Sequence, residues 1–204
     1  MASSAKKVFF ADHTFHIAEN VYEPADDSIF FAENLCVRKG DFVLDMGTGC
    51  GILGILAAIK DAHVVAIDIN PFAVRCAKEN GALNHITAKL SVVQGDLFAP
   101  ISPVEWFDAV LFNAPYLPAE DCNGDSWLEK AWVGGPFGRK VIDRFIAEVP
   151  RYLKPEGRVF LMQSTLSGVE ETLQRFRANG LEVRIAAKRH LPLFESLVLV
   201  VARY

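Results

Sequence analysis

From residue 41 onward, short apolar runs alternate with segments of helical periodicity. Residues 42–44 are apolar and end at Asp45, which predicts a buried strand. Residues 52–59 are apolar nearly all round, the pattern of a helix covered on most sides. A second strand is predicted at 63–67, ending at Asp68. Asn70-Pro71 then opens a helix running to about Asn84: Asn caps it, and Pro at the first helical position gives up no N–H the helix needs. A third strand at 90–93 precedes Gly95-Asp96, and a fourth at 107–112 ends in Asn113-Ala114-Pro115-Tyr116. A long, acidic, irregular loop follows to Gly135, and loops of that length usually carry a function. Ile142, Phe145, Ile146 and Val149 recur at helical spacing and predict a helix over 136–150. Residues 157–162 form a fifth strand. Ser167-x-x-Glu170 resembles a capping box, opening a helix that stops at Asn179-Gly180. Strands at 181–187 and 197–202 are joined by a short loop, which favours an antiparallel pair.

This order predicts one open α/β sheet of seven mostly parallel strands, with helices on both faces and a C-terminal antiparallel hairpin. No internal repeat, low-complexity stretch or linker interrupts it, so 1–204 reads as a single domain. Residues 41–204 are its sheet core. Residues 1–40, with Tyr22-Glu23-Pro24 and an apolar helical stretch at 28–37, read as a flap or lead-in helix over the ligand edge of the sheet.

Composition refines this picture. Hydrophobic residues are 51% and charged residues 23%, a globular balance. The mean hydropathy of +0.20 is high. A parallel sheet covered on both faces accounts for it best, and an exposed apolar patch for a partner is the competing account. The net charge of -4 argues against direct binding of nucleic acid, which demands a basic face. Lys188-Arg189-His190 reads as a solvated strand end. Cys36, Cys50, Cys76 and Cys122 form no metal-ligand spacing, so no metal is expected, and free thiols point to a reducing, cytoplasmic setting. No run reaches the ~20 apolar residues of a membrane span, and no signal peptide is evident at the N-terminus.

Open α/β sheets bind ligands at the carboxyl ends of their strands. Here those ends carry Asp45, Asp68, Asp96 and Asn113. Any one of them alone is as readily a turn residue; four at four strand ends are harder to read so. The turn Asp45-x-Gly47-x-Gly49-x-Gly51 allows close backbone approach to a ligand. Residues 49–54 also fit the G-x-G-x-x-G dinucleotide fingerprint, with Asp68 at the spacing of a ribose-binding acid. Charge separates the two readings. A pyrophosphate at this turn would be repelled by Asp45, whereas S-adenosylmethionine carries a cationic amino group and a sulfonium that an acidic rim suits. Asp68 can then accept both ribose hydroxyls, and Asp96 the adenine amino group.

The tetrapeptide at 113–116 suits a planar NH₂ acceptor, whose delocalised lone pair needs orientation rather than a strong base. The Asn113 side-chain oxygen can accept one N–H and the Ala114 carbonyl the other. Pro115 restricts Ala114 to extended backbone, which fixes that carbonyl. Tyr116 offers a flat face for stacking. Together they would hold the nitrogen in line with the methyl–sulfur bond. Alone, such a loop is more often just a turn.

Taken in order, VYEPADDS (21–28), VLDMGTGCGILG (43–54), DINPFAV (68–74), GDLF (95–98), FNAPYLP (112–118) and AWVGGPFGRKVIDRF (131–145) resemble the HemK-type glutamine methyltransferases that modify translation release factors. The likeness covers nearly the whole chain. It is nearest to the short archaeal and eukaryotic branch rather than the bacterial branch, which carries an extra N-terminal helical domain. The resemblance implies a Rossmann-like class I methyltransferase fold that uses S-adenosylmethionine and releases S-adenosylhomocysteine. The implied acceptor is the glutamine amide of the Gly-Gly-Gln loop of a class I release factor. Tyr22, Pro24, Asp27 and Ser28 would cover the cofactor, and Asp45, Gly47, Gly49, Gly51, Asp68, Asp96, Leu97 and Asn113 would bind it. Asn113, Ala114, Pro115 and Tyr116 would be catalytic, with Asn113 and Tyr116 holding the glutamine. Trp132 falls in a segment that matches a substrate loop, and reads equally as a loop anchor. The resemblance also implies a small zinc-binding activator protein, for which the strand at 90–93 is a candidate docking edge. One departure stands out: the family usually has Asn-Pro-Pro-Tyr, and Ala114 replaces the first proline.

Other readings remain. An adenine methyltransferase acting on DNA or RNA uses the same tetrapeptide to hold an exocyclic amine, but the low pI of about 5.7 and the lack of a target-recognition domain count against it. A protein lysine would first have to lose a proton, and no base is evident. A non-catalytic subunit keeping this fold would not need Asp45, Asp68, Asp96 and Asn113 intact.

Overall fold

The computed structural model describes residues 6–119, 126–192 and 195–204. The chain opens with an antiparallel hairpin of β1 (Lys6–Phe10) and β2 (His13–Ile17), then α1 (Asp26–Glu33). The sheet core follows as β3 (Phe42–Met46), α2 (Ile52–Ile59), β4 (His63–Asp68), α3 (Pro71–Leu83), β5 (Leu90–Gln94) and β6 (Phe107–Asn113). It continues with α4 (Trp127–Trp132), α5 (Lys140–Glu148), β7 (Leu153–Ser164), α6 (Val169–Ala178), β8 (Glu182–His190) and β9 (Ser196–Arg203).

The seven-stranded sheet has the order β5-β4-β3-β6-β7-β9-β8. The pairs from β5 to β7 are parallel, and β9 runs antiparallel to both of its neighbours. This is the mostly parallel sheet with a terminal hairpin that the sequence predicts. Alternate strand residues feed two cores. Val43, Val64, Leu111 and Met162 pack with α1, α2 and α3 on one face. Leu44, Ile67, Val110 and Leu161 pack with α5 and α6 on the other. In β9 every residue from Ser196 to Ala202 is buried, so a sheet covered on both faces accounts for the high mean hydropathy.

Asn80 on α3, 1% exposed, locks the N-terminal hairpin to the core. Its Oδ1 accepts from the His16 N–H, and its Nδ2 donates to the carbonyls of His16 and Cys50, each at 2.8 Å. The last of these lies in the glycine turn, so hairpin and turn share one anchor. Cys36, Cys50 and Cys76 are free thiols; Cys122 lies outside the described residues.

Several elements differ from the sequence-based expectation. Residues 1–40 hold a hairpin as well as a helix, and α1 runs from Asp26 to Glu33 rather than 28–37. The capping box expected at Ser167 does not form. Gly168 precedes α6, and the Ser167 hydroxyl donates instead to the Ser164 carbonyl at 2.9 Å. Helix α5 starts at Lys140, because Gly135 and Gly138 take left-handed φ of 83° and 68° and keep the preceding segment in turns. The loop after β6 contains the short helix α4. There Ser126 and Glu129 form a complete capping box, each side chain bonded to the other's backbone N–H.

Candidate active site

The strand order places β5, β4, β3 and β6 side by side, so Asp96, Asp68, Asp45 and Asn113 follow one another along a single sheet edge. A cavity of about 360 Å³ opens there, within the range of small-ligand sites. Tyr22, Pro24 and Ser28 from the N-terminal segment form part of its wall, as do α4 and α5.

The glycine turn forms the floor. Gly47, Thr48 and Gly49 line the cavity, whereas Gly51 lies behind them as the left-handed residue before α2. A Cβ at Gly51 would meet the backbone of Ala77 at 3.2 Å. Asp45 is 1% exposed and sits beneath the turn, not on the cavity wall. Its Oδ2 accepts from the Thr48 hydroxyl at 2.5 Å and from the Gly54 N–H at 2.9 Å. Expected from sequence to bind the cofactor, Asp45 here holds the turn and the start of α2 in place. Gly54 is needed for this, since a Cβ there would lie 2.8 Å from Asp45 Oδ2.

Asp68 lines the cavity. Its Oδ2 accepts from Gly49 N–H at 2.8 Å and its Oδ1 from Asn70 N–H at 2.9 Å. Each oxygen keeps a further lone pair for a ligand hydroxyl. Burial raises its pKa, against the opposing effect of these backbone donors. Asp96 and Leu97 also line the cavity. Asp96 Oδ2 accepts from Arg144 of α5 at 2.8 Å, a partner that sequence reasoning did not find. Leu97 holds a left-handed φ of 48°, strained backbone for a non-glycine residue at a ligand edge.

Of the tetrapeptide, Asn113 and Pro115 line the cavity, while Ala114 and Tyr116 do not. Asn113 Nδ2 donates to Asp27 Oδ2 at 3.1 Å and to Ser28 Oγ at 3.2 Å, and its Oδ1 is buried without a hydrogen-bond partner among the described residues. Ala114 is buried in the core. Tyr116 packs against both cores, and its hydroxyl donates to Asp27 Oδ2 at 3.2 Å, so its ring is not the exposed stacking face expected from sequence. Asp27 is itself buried and off the cavity wall. Burial, reinforced by the Asp27 charge, raises the pKa of both Tyr22 and Tyr116, so both hydroxyls stay protonated donors.

Trp132 is half-buried and off the wall; its carbonyl accepts from Leu117 N–H at 2.9 Å, the loop-anchor arrangement. One turn earlier on α4, Trp127 and Lys130 do line the cavity, with the Lys130 ammonium 4.6 Å from the Trp127 ring centroid. Sequence reasoning missed both, although Ser126-x-x-Glu129 carried the signal for a helix there. Among the described residues, no group of three or more His, Cys, Asp or Glu could hold a metal ion.

Residues 26–114 match the ribosomal protein L11 methyltransferase (PrmA) family. A Methanocaldococcus jannaschii protein, provisionally named a protein N5-glutamine methyltransferase, is 45% identical over 182 residues, spanning 88% of this chain and 90% of its own. Human methyltransferase HEMK2 is 31% identical over 182 residues, spanning 83% of this chain and 84% of its own. The chain belongs to the HemK family of protein glutamine methyltransferases. A chain of the E. cuniculi Mtq2–Trm112 complex, described as responsible for methylation of the eRF1 translation termination factor, superposes with a TM-score of 0.71 at 27% identity. The match covers 90% of this chain and 98% of that one.

In this HemK-family chain, Asp45 carries a pH signature. Burial pushes its pKa from 3.8 up to about 7, although the Thr48 and Gly54 hydrogen bonds pull the other way. The folded state then keeps a proton that the unfolded chain releases. Stability from this group therefore falls as pH rises from about 4 to about 7, by at most about 1.4 kcal/mol per pH unit, and is level above. Urea midpoints of the ligand-free protein should decline across that interval. Asp45→Asn should remove this part of the decline, and equal slopes in the two proteins would contradict the assignment.

Proposed function

We propose that the chain is a cytoplasmic enzyme, acting as one catalytic unit, that methylates the glutamine side-chain amide in the Gly-Gly-Gln loop of a class I translation release factor. One observation carries this reading. Asn113 lines the cavity with both amide hydrogens engaged and its buried Oδ1 unpartnered among the described residues, so the site offers an acceptor to an N–H donor. Relatives named for release-factor and protein glutamine methylation support the choice of acceptor.

The residues fit S-adenosylmethionine. The cavity is large enough for a nucleoside-sized ligand, glycine backbone lines its floor, and Asp68 has acceptor capacity left for ribose hydroxyls. Gly47 and Gly49 would face the methionine part, with Asp45 beneath them supporting the turn. Asp96 and Leu97 would take the adenine, and Tyr22, Pro24 and Ser28 would close over it. When bound, the cofactor supplies an electrophilic methyl group on sulfur. Asn113 Oδ1 and the Ala114 carbonyl would each accept an N–H of the glutamine amide and so orient its nitrogen. Pro115 restricts Ala114, and Trp127 offers the flat wall expected earlier of Tyr116. No metal is needed for such a transfer.

Among the described residues, strand β5 pairs only with β4 and forms one edge of the sheet. A small zinc-binding activator could add a strand there, as sheet edges allow. The E. cuniculi complex, in which a relative is paired with Trm112, supports this reading. Among the described residues, no helix is long and apolar enough to cross a membrane.

Acceptor class is tested by competition. Labelled S-adenosylmethionine is offered with a release factor, an adenine-containing single-stranded oligonucleotide and a lysine-rich peptide together. Label is expected in the release factor alone; label in the oligonucleotide or the peptide would overturn the acceptor assignment.

A further inference from the structure

Five donors converge on one buried carboxylate. Asp27 Oδ1 accepts from the Ser28 N–H at 2.6 Å, from the Ser28 hydroxyl at 3.2 Å and from the Tyr22 hydroxyl at 3.3 Å. Its Oδ2 accepts from Asn113 Nδ2 at 3.1 Å and from the Tyr116 hydroxyl at 3.2 Å. Asp27 is 6% exposed and off the cavity wall, so it does not meet a ligand directly. Resting on the reading above, we propose that Asp27 is a positioning residue that sets the polarity of the Asn113 amide and thereby restricts the site to methyl acceptors whose reacting atom carries a hydrogen to donate.

Hydrogen-bond capacity fixes this polarity. A carboxylate only accepts, and an amide end can present either an acceptor oxygen or two donor hydrogens. Facing Asp27, the Asn113 amide must turn its NH₂ inward, because an oxygen there would oppose Asp27 Oδ2. The second amide hydrogen goes to Ser28 Oγ, whose own hydrogen returns to Asp27 Oδ1. The ring from Asp27 through Asn113 and Ser28 back to Asp27 is thus closed, with every donor used. It leaves Asn113 Oδ1 as the free end, the atom found without a partner. Such a closed, buried network has little freedom to invert, since any flip strands two donors and an acceptor at once. Tyr116 joins the same oxygen, which ties both ends of the tetrapeptide to α1.

The selectivity follows. A primary carboxamide or an exocyclic amine donates to Oδ1 and is held. A ring nitrogen or a carbonyl or ether oxygen, which has no hydrogen to donate, meets an acceptor and is rejected. The sequence points to Asp27 only through family likeness, as a cofactor contact; the structure gives it this different task.

The test uses the full chain, with the activator if transfer requires one. Asp27→Asn keeps size but offers a donor, so the Asn113 amide loses its fixed sense. At saturating cofactor, kcat is expected to fall about 100-fold, with cofactor Kd changed less than about threefold. The exchange variant Asp27→Asn with Asn113→Asp restores a complementary pair. The carboxamide introduced at position 27 can donate to one oxygen of the carboxylate introduced at position 113 and leave the other as the free acceptor. This variant should recover at least about tenfold of that loss. A fall in cofactor affinity with kcat intact, an unchanged Asp27→Asn enzyme, or a folded exchange variant without recovery would each overturn the proposal. Should Asp27→Asn alone fail to fold, the exchange variant decides. A readout independent of any acceptor separates this proposal from the assigned function. The Asn113 side-chain NH₂ protons of the ligand-free wild type should exchange slowly with solvent, and those of Asp27→Asn quickly. Fast exchange in the wild type contradicts the network, whereas slow exchange with no transfer to release factor would leave the network standing and remove the acceptor assignment.

Discussion

Replacing Asn113 with alanine is expected to lower kcat for methyl transfer by about 10²–10³-fold while leaving cofactor Kd within about threefold. A glutamine amide is a weak nucleophile, so the rate rests on orientation. Asn113 lines the cavity, and its buried Oδ1 has no partner among the described residues, which an incoming N–H would supply. Alanine removes that acceptor. It also leaves Asp27 Oδ2 with the Tyr116 hydroxyl as its remaining donor, so a stability loss of about 1–3 kcal/mol is expected as well. Activity should therefore be read at a temperature where the variant is shown to be folded. Binding of the cofactor, measured by calorimetry without acceptor, separates the two effects. Full activity in the alanine variant would remove the tetrapeptide from the mechanism.

The second large effect belongs to cofactor affinity. Asp68→Ala should raise Kd for S-adenosylmethionine by about 10²–10³-fold, with kcat at saturating cofactor reduced by less than about tenfold. The carboxylate is bonded to Gly49 of the glycine turn and to Asn70 at the start of α3. Its loss frees the turn and removes the proposed acceptors for the ribose hydroxyls. Each such charge-assisted bond contributes about 1.5–3 kcal/mol, so losing two or more reaches that range. A raised pKa adds a pH dependence: as acid is added, Asp68 takes its proton earlier than an ordinary aspartate. Cofactor binding by the wild type should accordingly weaken on acidification at a pH above the usual carboxylate range. An Asp68→Ala variant that binds cofactor within about threefold of the wild type would contradict the assignment.

The sheet was legible in the sequence because its physics is local. Apolar runs of strand length, each ended by Asp or Asn, specify β3, β4 and β6 with little ambiguity, and helical periodicity follows β3 and β4 directly. Asn70-Pro71 marked the start of α3, and the Asn70 side chain does accept from Phe72 N–H. What remained hidden depends on partners distant in sequence. Asp45 and Asp68 look alike in the sequence, each closing an apolar run. In the fold, one lies under the turn bonded to Gly54, and the other reaches the cavity. Tyr116 looked like a stacking face because nothing near it in sequence shows that Asp27, 89 residues away, takes its hydroxyl. Arg144 meets Asp96 across 48 residues, beyond the reach of any periodicity. Helix α4 is a different kind of miss: its capping box was readable, but six residues give too few turns for a hydrophobic stripe to stand out.

Glutamine methylation is tested most directly by transfer of label from S-adenosylmethionine to a purified class I release factor, comparing the natural factor with one whose Gly-Gly-Gln glutamine is replaced by alanine. Label in the natural factor alone is the expected result. Equal labelling of both, or labelling of neither by a chain shown to bind the cofactor with its activator present, would contradict it.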